Sequence, residues 1–175
     1  NMAVCVAACR AISTLLDLET GIKWPNDLLV GERKVGGILM EVGAVGDGLD
    51  YALDYAIVGL GINANIDPSS FPDEWMATSL SREMGSGVSR TALIQRTLLE
   101  MEWAYENIGS EAIYNEWRRR SSTIGRTVCI RARFGELVGE VVDLARDGAL
   151  LLRRDDEVVR VLAGDCIHLR GMVGL

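Results

Sequence analysis

The change of pattern at Thr123 constrains this chain most, because everything after it reads as strand. The segments TVCIRARF, ELVGEVVDLA, GALLLRR, EVVRVLA and DCIHLR are short, rich in apolar residues and separated by Gly or Asp turns. Runs of this kind are strands, and five of them in roughly fifty residues predict a small barrel. The boundary falls near Ile124 and Gly125 with no flexible linker, which divides the chain into a unit 1–123 and a unit 124–175.

The first unit has a different periodicity. Val4, Ala7, Ala8, Ala11, Ile12, Leu15 and Leu16 recur at the spacing of one helix face, predicting a helix over 3–18 that Gly21 stops. Its opening NMAVCVAAC lacks a preceding basic region, so it reads as that helix and not as a secretion signal. From Ile22 to Ile66 the pattern becomes short apolar runs: a strand into Lys23 and Trp24, then Leu28–Val30, Val35–Val45 and Tyr51–Ile62, with hairpin turns at GERK and GDGLD. YAIVGLGI is almost continuously apolar, which requires helices over at least one face of the sheet. Those helices follow from Ser89, a candidate N-cap, with Leu93, Leu98, Met101 and Tyr105 on related faces and an end at Gly109, and again from Ser110. The fold class is therefore α+β: a mixed β-sheet with flanking helices, then a small β-barrel. The segment DPSSFPD reads as a surface connection.

Composition removes several functions. Net charge is −7, and the basic residues are scattered except for Arg118–Arg120, which reads as a solvated helix end. A nucleic-acid partner would need a basic face, so none is expected. No apolar run is long enough to span a membrane. The four cysteines form no CxxC pair and His168 is the only histidine, so no protein metal site is expected. Cys5 and Cys9, one helical turn apart, read as small core residues. His168 lies in an alternating strand and reads as structural, which leaves no base for a Ser-His-Asp or Cys-His nucleophile.

Chemistry concentrates between Lys23 and Asn65. Lys23 and Lys34 are the only lysines beside sixteen arginines, and both fall in one short stretch. A compact ammonium suits phosphate or carboxylate oxygens, although a lysine in a hairpin turn is also ordinary solvated decoration. In KWPND, Pro25 fixes a backbone angle, and Asn26 and Asp27 stand at the mouth of the next strand. They suit a ligand, and they suit equally an Asx turn that only joins two strands. Gly36 and Gly37 in KVGGIL weaken a strand unless a bulge or a close backbone approach is needed, and GLGINAN repeats the theme with Gly59, Gly61 and Asn63. Neither is a Rossmann or P-loop fingerprint.

KWPND, Lys34 seven residues after Asp27 in RKVGGILME, GLGINAN, ATSL at Ala77–Leu80 and EWRRRSSTIGR stand in an order that resembles the biotin protein ligase family over essentially the whole chain. The resemblance implies part of a class II synthetase-like catalytic core over 1–123 and an SH3-like C-terminal domain over 124–175. It implies joining of biotin to ATP as biotinyl-5′-adenylate, with pyrophosphate released, then transfer of biotin to a lysine of a biotin carboxyl carrier protein in the cytoplasm. Lys34 would be the central catalytic lysine on the biotin carboxylate and α-phosphate, and Asp27 the acid that orients or deprotonates the incoming lysine. Gly36 and Gly37 would admit biotin, and Trp24, Asn26 and Asn63 would face the nucleotide. Mg²⁺ would accompany ATP, held by phosphate oxygens and water. Pairing of two copies through the central sheet comes with the resemblance as well.

The family's Gly- and Arg-rich GRGR-type loop and the winged helix of its bifunctional members are not in these residues. The expectation is a piece of a longer ligase that catalyses adenylation poorly by itself. A lipoate-attaching ligase shares the central fold, and a non-catalytic carrier-docking module is the alternative of another kind; KWPND with RKVGGILME argues for biotin.

Overall fold

The computed structural model describes residues 1–45, 52–132 and 135–169. Helix α1 (Met2–Leu16) is buried nearly all round from Val4 to Cys9, where its alanines and cysteines let neighbours approach closely. It ends before Gly21: Asp17 takes the left-handed conformation at φ 53° and its N–H bonds to the Ser13 carbonyl. Aspartate is one of the few side chains that tolerate this cap, and Gly21 instead opens the first strand.

Strands β1 (Gly21–Lys23), β2 (Asp27–Val30), β3 (Arg33–Val45) and β4 (Ala52–Ile62) form an antiparallel sheet in that order. Its parallel pairings among the described residues are the isolated bridges Ile22–Ser121 and Lys34–Ala77. The expected GERK turn is present, with Gly31 at φ 58°, whereas GDGLD lies outside the described residues. One face of the sheet, through Ile38, Met40, Val58 and Leu60, joins the core, while Leu39, Tyr55 and Ile57 stay exposed on the other.

Helices α2 (Leu80–Met84), α3 (Arg90–Glu106) and α4 (Glu111–Arg119) follow. Ser89 and Ser110 cap α3 and α4 as expected, accepting from the N–H of Ala92 and of Ile113. The buried side of α3 departs from the expected one. Leu93 is buried, but Leu98 and Tyr105 are exposed, and Glu100 is buried in their place with Arg10 Nε 2.6 Å from its carboxylate and Arg96 on its other oxygen. Two guanidinium partners make that burial tolerable.

The Arg118–Arg120 run is not simply solvated. Arg118 grips Asp143 through two bonds, and Arg120, only 10% exposed, bonds Glu116, Ser13 and the Thr20 carbonyl, tying α4 to the end of α1.

Strands β5 (Thr127–Ala132), β6 (Gly135–Leu144), β7 (Leu150–Arg154), β8 (Glu157–Val161) and β9 (Asp165–His168) make a second antiparallel sheet, order β8-β7-β6-β5-β9. Its interior holds Val128, Ile130, Val141, Leu150 and Leu152. All four cysteines are buried free thiols. His168 Nε2 lies 3.1 Å from Thr123 Oγ1, and burial, aided by the charges of Lys23 and Arg126, holds the imidazole down to about 4, so it is neutral at pH 7. No helix among the described residues is long and apolar enough to cross a membrane.

Hydrogen bonds from Arg119 and Arg120 hold the Glu116 carboxyl down to about 2. A depressed folded value stabilises the fold above the ordinary carboxylate range and loses that contribution as pH falls from about 4.5 toward 2. Glu116→Gln is therefore expected to lower the melting temperature by roughly 2–4 °C at pH 7, with the difference shrinking toward pH 2. Thermal unfolding followed by circular dichroism checks this, and a pH-independent difference would contradict it.

Candidate functional site

Asp27 opens β2 opposite Lys23 on β1 and Gly37 on β3. Lys34, one residue into β3, returns over the same face, and its Nζ lies 2.5 Å from Asp27 Oδ1. Both side chains stay reachable by solvent, at 44% and 25% exposure, so the pair adds little stability and remains open to a ligand.

The two glycines beside the pair serve different ends. A Cβ at Gly36 would sit 2.5 Å from the Gly61 carbonyl oxygen, so the β3–β4 approach itself demands glycine. A Cβ at Gly37 would make only ordinary contacts, 3.4 Å from Asp27 Oδ1 and 3.5 Å from Lys34 Nζ. Its absence leaves open floor beside the ion pair.

Asn26 fixes the turn before β2 to β3: its Nδ2 donates to the Ile38 carbonyl at 2.6 Å, and the Ile38 N–H donates to the Asn26 carbonyl at 3.0 Å. Asn63, just past β4, donates from Nδ2 to the Thr78 carbonyl at 3.0 Å, and its backbone bonds Val35 and Leu80. Lys34 is held by its own backbone too, donating to the Met76 carbonyl and accepting from the Thr78 N–H.

Two cavities meet at this pair. The first, of about 530 Å³, is lined by Asn26, Asp27, Lys34, Gly37, Ile38, Leu39, Gly59, Leu60 and Gly61. The second, of about 710 Å³, is lined by Lys23, Asp27, Lys34, Gly36, Gly37, Gly61, Ile62, Asn63, Phe71, Glu74, Trp75 and Ala77. Asp27, Lys34, Gly37 and Gly61 belong to both. Both lysines of the chain thus reach the second cavity.

Of the residues singled out in the sequence, Asp27, Lys34, Gly36, Gly37, Asn26 and Asn63 line these cavities, and Trp24 does not. Trp24 is 2% exposed, its backbone N–H donates to Thr123 Oγ1 at 3.0 Å, and its Nε1 donates to the Gly148 carbonyl at 2.9 Å. The segment DPSSFPD, expected as a surface connection, belongs to a loop 67–76 that also reaches the site. Its two 3-10 turns (Pro68–Ser70 and Asp73–Trp75) carry Phe71, Glu74 and Trp75 to the second cavity. The Phe71 and Trp75 ring centroids are 5.8 Å apart, and Trp75 is 58% exposed. Two aromatics in a proline-bounded loop with no core to fill were the available signal.

A cation–carboxylate pair on a glycine floor between two cavities can hold two ligands end to end, with an anionic group of each at the ammonium. An exposed indole beside such a site is suited to stacking a flat ring. Among the described residues no group of three or more His, Cys, Asp or Glu side chains could hold a metal ion.

Residues 2–63 match the model of the biotin/lipoate A/B protein ligase family, and residues 123–169 that of the biotin protein ligase C terminal domain. The bifunctional ligase/repressor BirA of Bacillus subtilis (strain 168) is 33% identical over 165 residues, covering 91% of this chain and 50% of that protein. The biotin--[acetyl-CoA-carboxylase] ligase of Mycobacterium tuberculosis is 33% identical over 182 residues, covering 97% and 62%. The chain thus spans about half to three-fifths of the length of these curated relatives. A biotin protein ligase from Aquifex aeolicus, solved in complex with biotin and ATP, shares the fold with a TM-score of 0.79 at 23% identity, over 97% of this chain and 70% of that one.

The glycine geometry makes a contrast that can be measured. Gly36→Ala is expected to destabilise the fold by about 2 kcal/mol or more, because β4 must move, and Gly37→Ala by less than about 1 kcal/mol. Denaturant unfolding of the two variants checks this, and equal losses would contradict the assignment of their roles.

Proposed function

The chain belongs to the biotin protein ligase family, and on that premise we propose that it carries one wall of the site of an ATP-dependent ligase that makes biotinyl-5′-adenylate and passes biotin to a lysine of a biotin carboxyl carrier protein. The observation that carries this reading is the sharing of Asp27 and Lys34 by two adjoining cavities. Biotin takes the first, against the exposed Leu39 on the floor of Gly37, Gly59 and Gly61; ATP takes the second.

In the first step a biotin carboxylate oxygen attacks the α-phosphorus. The new O–P bond forms as the bond to the bridging oxygen of the β-phosphate breaks, and pyrophosphate leaves. Two anions must meet, and the Lys34 ammonium between them lowers that repulsion and the charge of the transition state. Lys23 adds positive potential on the phosphate side. Asn63 has its amide N–H committed to Thr78, which leaves its carbonyl oxygen to accept from the adenine amino group, and Trp75 offers its exposed face to the base. Mg²⁺ would accompany the triphosphate, held by phosphate oxygens and water, and would neutralise the leaving pyrophosphate.

In the second step the amine of the carrier lysine attacks the acyl carbon, an amide forms and AMP leaves. That lysine, with an unperturbed pKa of about 10.4, arrives mostly protonated, and the Asp27 carboxylate holds its ammonium and takes the proton as the amine attacks. Four free thiols and the need for ATP suit the cytoplasm.

Calorimetry with biotin, lipoate and ATP tests the assignment: biotin and ATP are expected to bind saturably and lipoate not. Lys34→Ala should weaken both ligands by about tenfold or more with an unchanged circular dichroism spectrum. Asp27→Asn should slow biotin transfer from preformed adenylate by about tenfold or more while changing ligand affinity by less than about threefold. Because a GRGR-type loop is not among these residues, they alone are expected to release pyrophosphate from ATP and biotin slowly. Binding of none of the three ligands would point to a docking module instead.

A further inference from the structure

Trp24 sits in the three-residue turn between β1, which ends at Lys23, and β2, which begins at Asp27. Unlike Lys23, Asn26 and Asp27 of the same motif it lines neither cavity, and both its N–H groups are taken up by residues 123 and 148. The segment leading into the second sheet runs beside β1 as a strap. The Ile22 N–H donates to the Arg120 carbonyl at 2.8 Å, the Ser122 N–H donates to the Ile22 carbonyl at 2.9 Å, and the Trp24 N–H donates to Thr123 Oγ1 at 3.0 Å. The last rung of this ladder is a side-chain hydroxyl. Thr123 is fully buried and held in turn, its own N–H donating to Ser121 Oγ at 3.2 Å and its hydroxyl facing His168 Nε2.

We infer that Thr123 is a positioning residue for the ligand site: with Gly148 it clamps Trp24, and through Trp24 the C-terminal sheet sets where Asp27 meets Lys34. On its other side the same turn is fixed to β3 by the Asn26–Ile38 pair of bonds. Asp27 is thus suspended between two anchors, and releasing one frees the turn to pivot on the other. Removing the Thr123 hydroxyl leaves a buried N–H unpaired, a strain the turn relieves by shifting.

The ligand arm of the test rests on the function proposed above, and the exchange arm does not. In the ligand-free chain, Thr123→Val is expected to speed amide hydrogen exchange by about tenfold or more at residues 24–28 while leaving α3 and β7 unchanged; Thr123→Ser, which keeps the hydroxyl, should restore slow exchange. Unchanged exchange at 24–28, or a uniform rise across the chain, would overturn the inference. In calorimetry with ATP, Thr123→Val should weaken binding about tenfold and Thr123→Ser less than about twofold, and in a Lys34→Ala background the Val effect should shrink below about twofold, because the two act through one pair. Full additivity of the two substitutions would overturn it. Failure of the unaltered chain to bind ATP would refute the ligand assignment and leave the exchange result to decide. If Thr123→Val does not fold, Trp24→Phe, which removes the bond to Gly148 together with part of the buried indole, should raise exchange at 26–28 about threefold or more; no rise would overturn the inference.

Discussion

The register of β3 against β2 sets Gly37 opposite Asp27 and brings Lys34 back over the same face, and the site follows from that pairing. Between Lys34 and Gly37, β3 has no free edge: β2 lies on one side, and on the other Gly36 and Gly37 pair with Ile62 and Gly61 of β4, while Lys34 bonds the Met76–Thr78 segment. A slip of one residue would turn Lys34 and Gly37 to the opposite face and separate the ammonium from its carboxylate. The Gly36–Gly61 approach guards against that slip, since no larger residue fits there.

Function follows from what this arrangement leaves vacant. Strand ends, the glycine floor and the 67–76 loop leave space on both sides of one exposed ion pair, and the proposed reaction asks for a cation where two anions meet. The proposed reaction needs no nucleophile on the protein, and the four thiols are buried while the single histidine is held neutral beside Thr123. In the proposed reaction the chain contributes position and charge, and the substrates supply the bonds.

Local pattern was enough to read α1, the two serine caps and the strand sequence, because each of those depends on neighbours in sequence, whereas the candidate site residues were singled out by the order of motifs along the whole chain. What it could not show depends on distant partners. Trp24 stands in a polar motif and looks like a ligand contact until Thr123 and Gly148, 99 and 124 residues away, are seen to take its N–H groups. Glu100 lies on the inner side of α3 only because Arg10 of α1 meets it there. Arg120 ends a run that reads as solvated, yet the end of α1 encloses it. The end of α1 itself escaped because glycine was the obvious stop and Asp17 took the left-handed position first. The 67–76 loop has no periodicity to read, and its importance lies in where Asn63 and Lys34 tie its ends.

The most direct measurement is a crystal structure of the chain with biotinyl-5′-adenylate. The account predicts Lys34 Nζ within hydrogen-bond distance of the phosphate or acyl oxygens, the biotin rings over Gly37, Gly59 and Gly61, and the adenine beside Trp75 and Asn63. An adenylate bound elsewhere, or bound here with Lys34 turned to solvent, would contradict it.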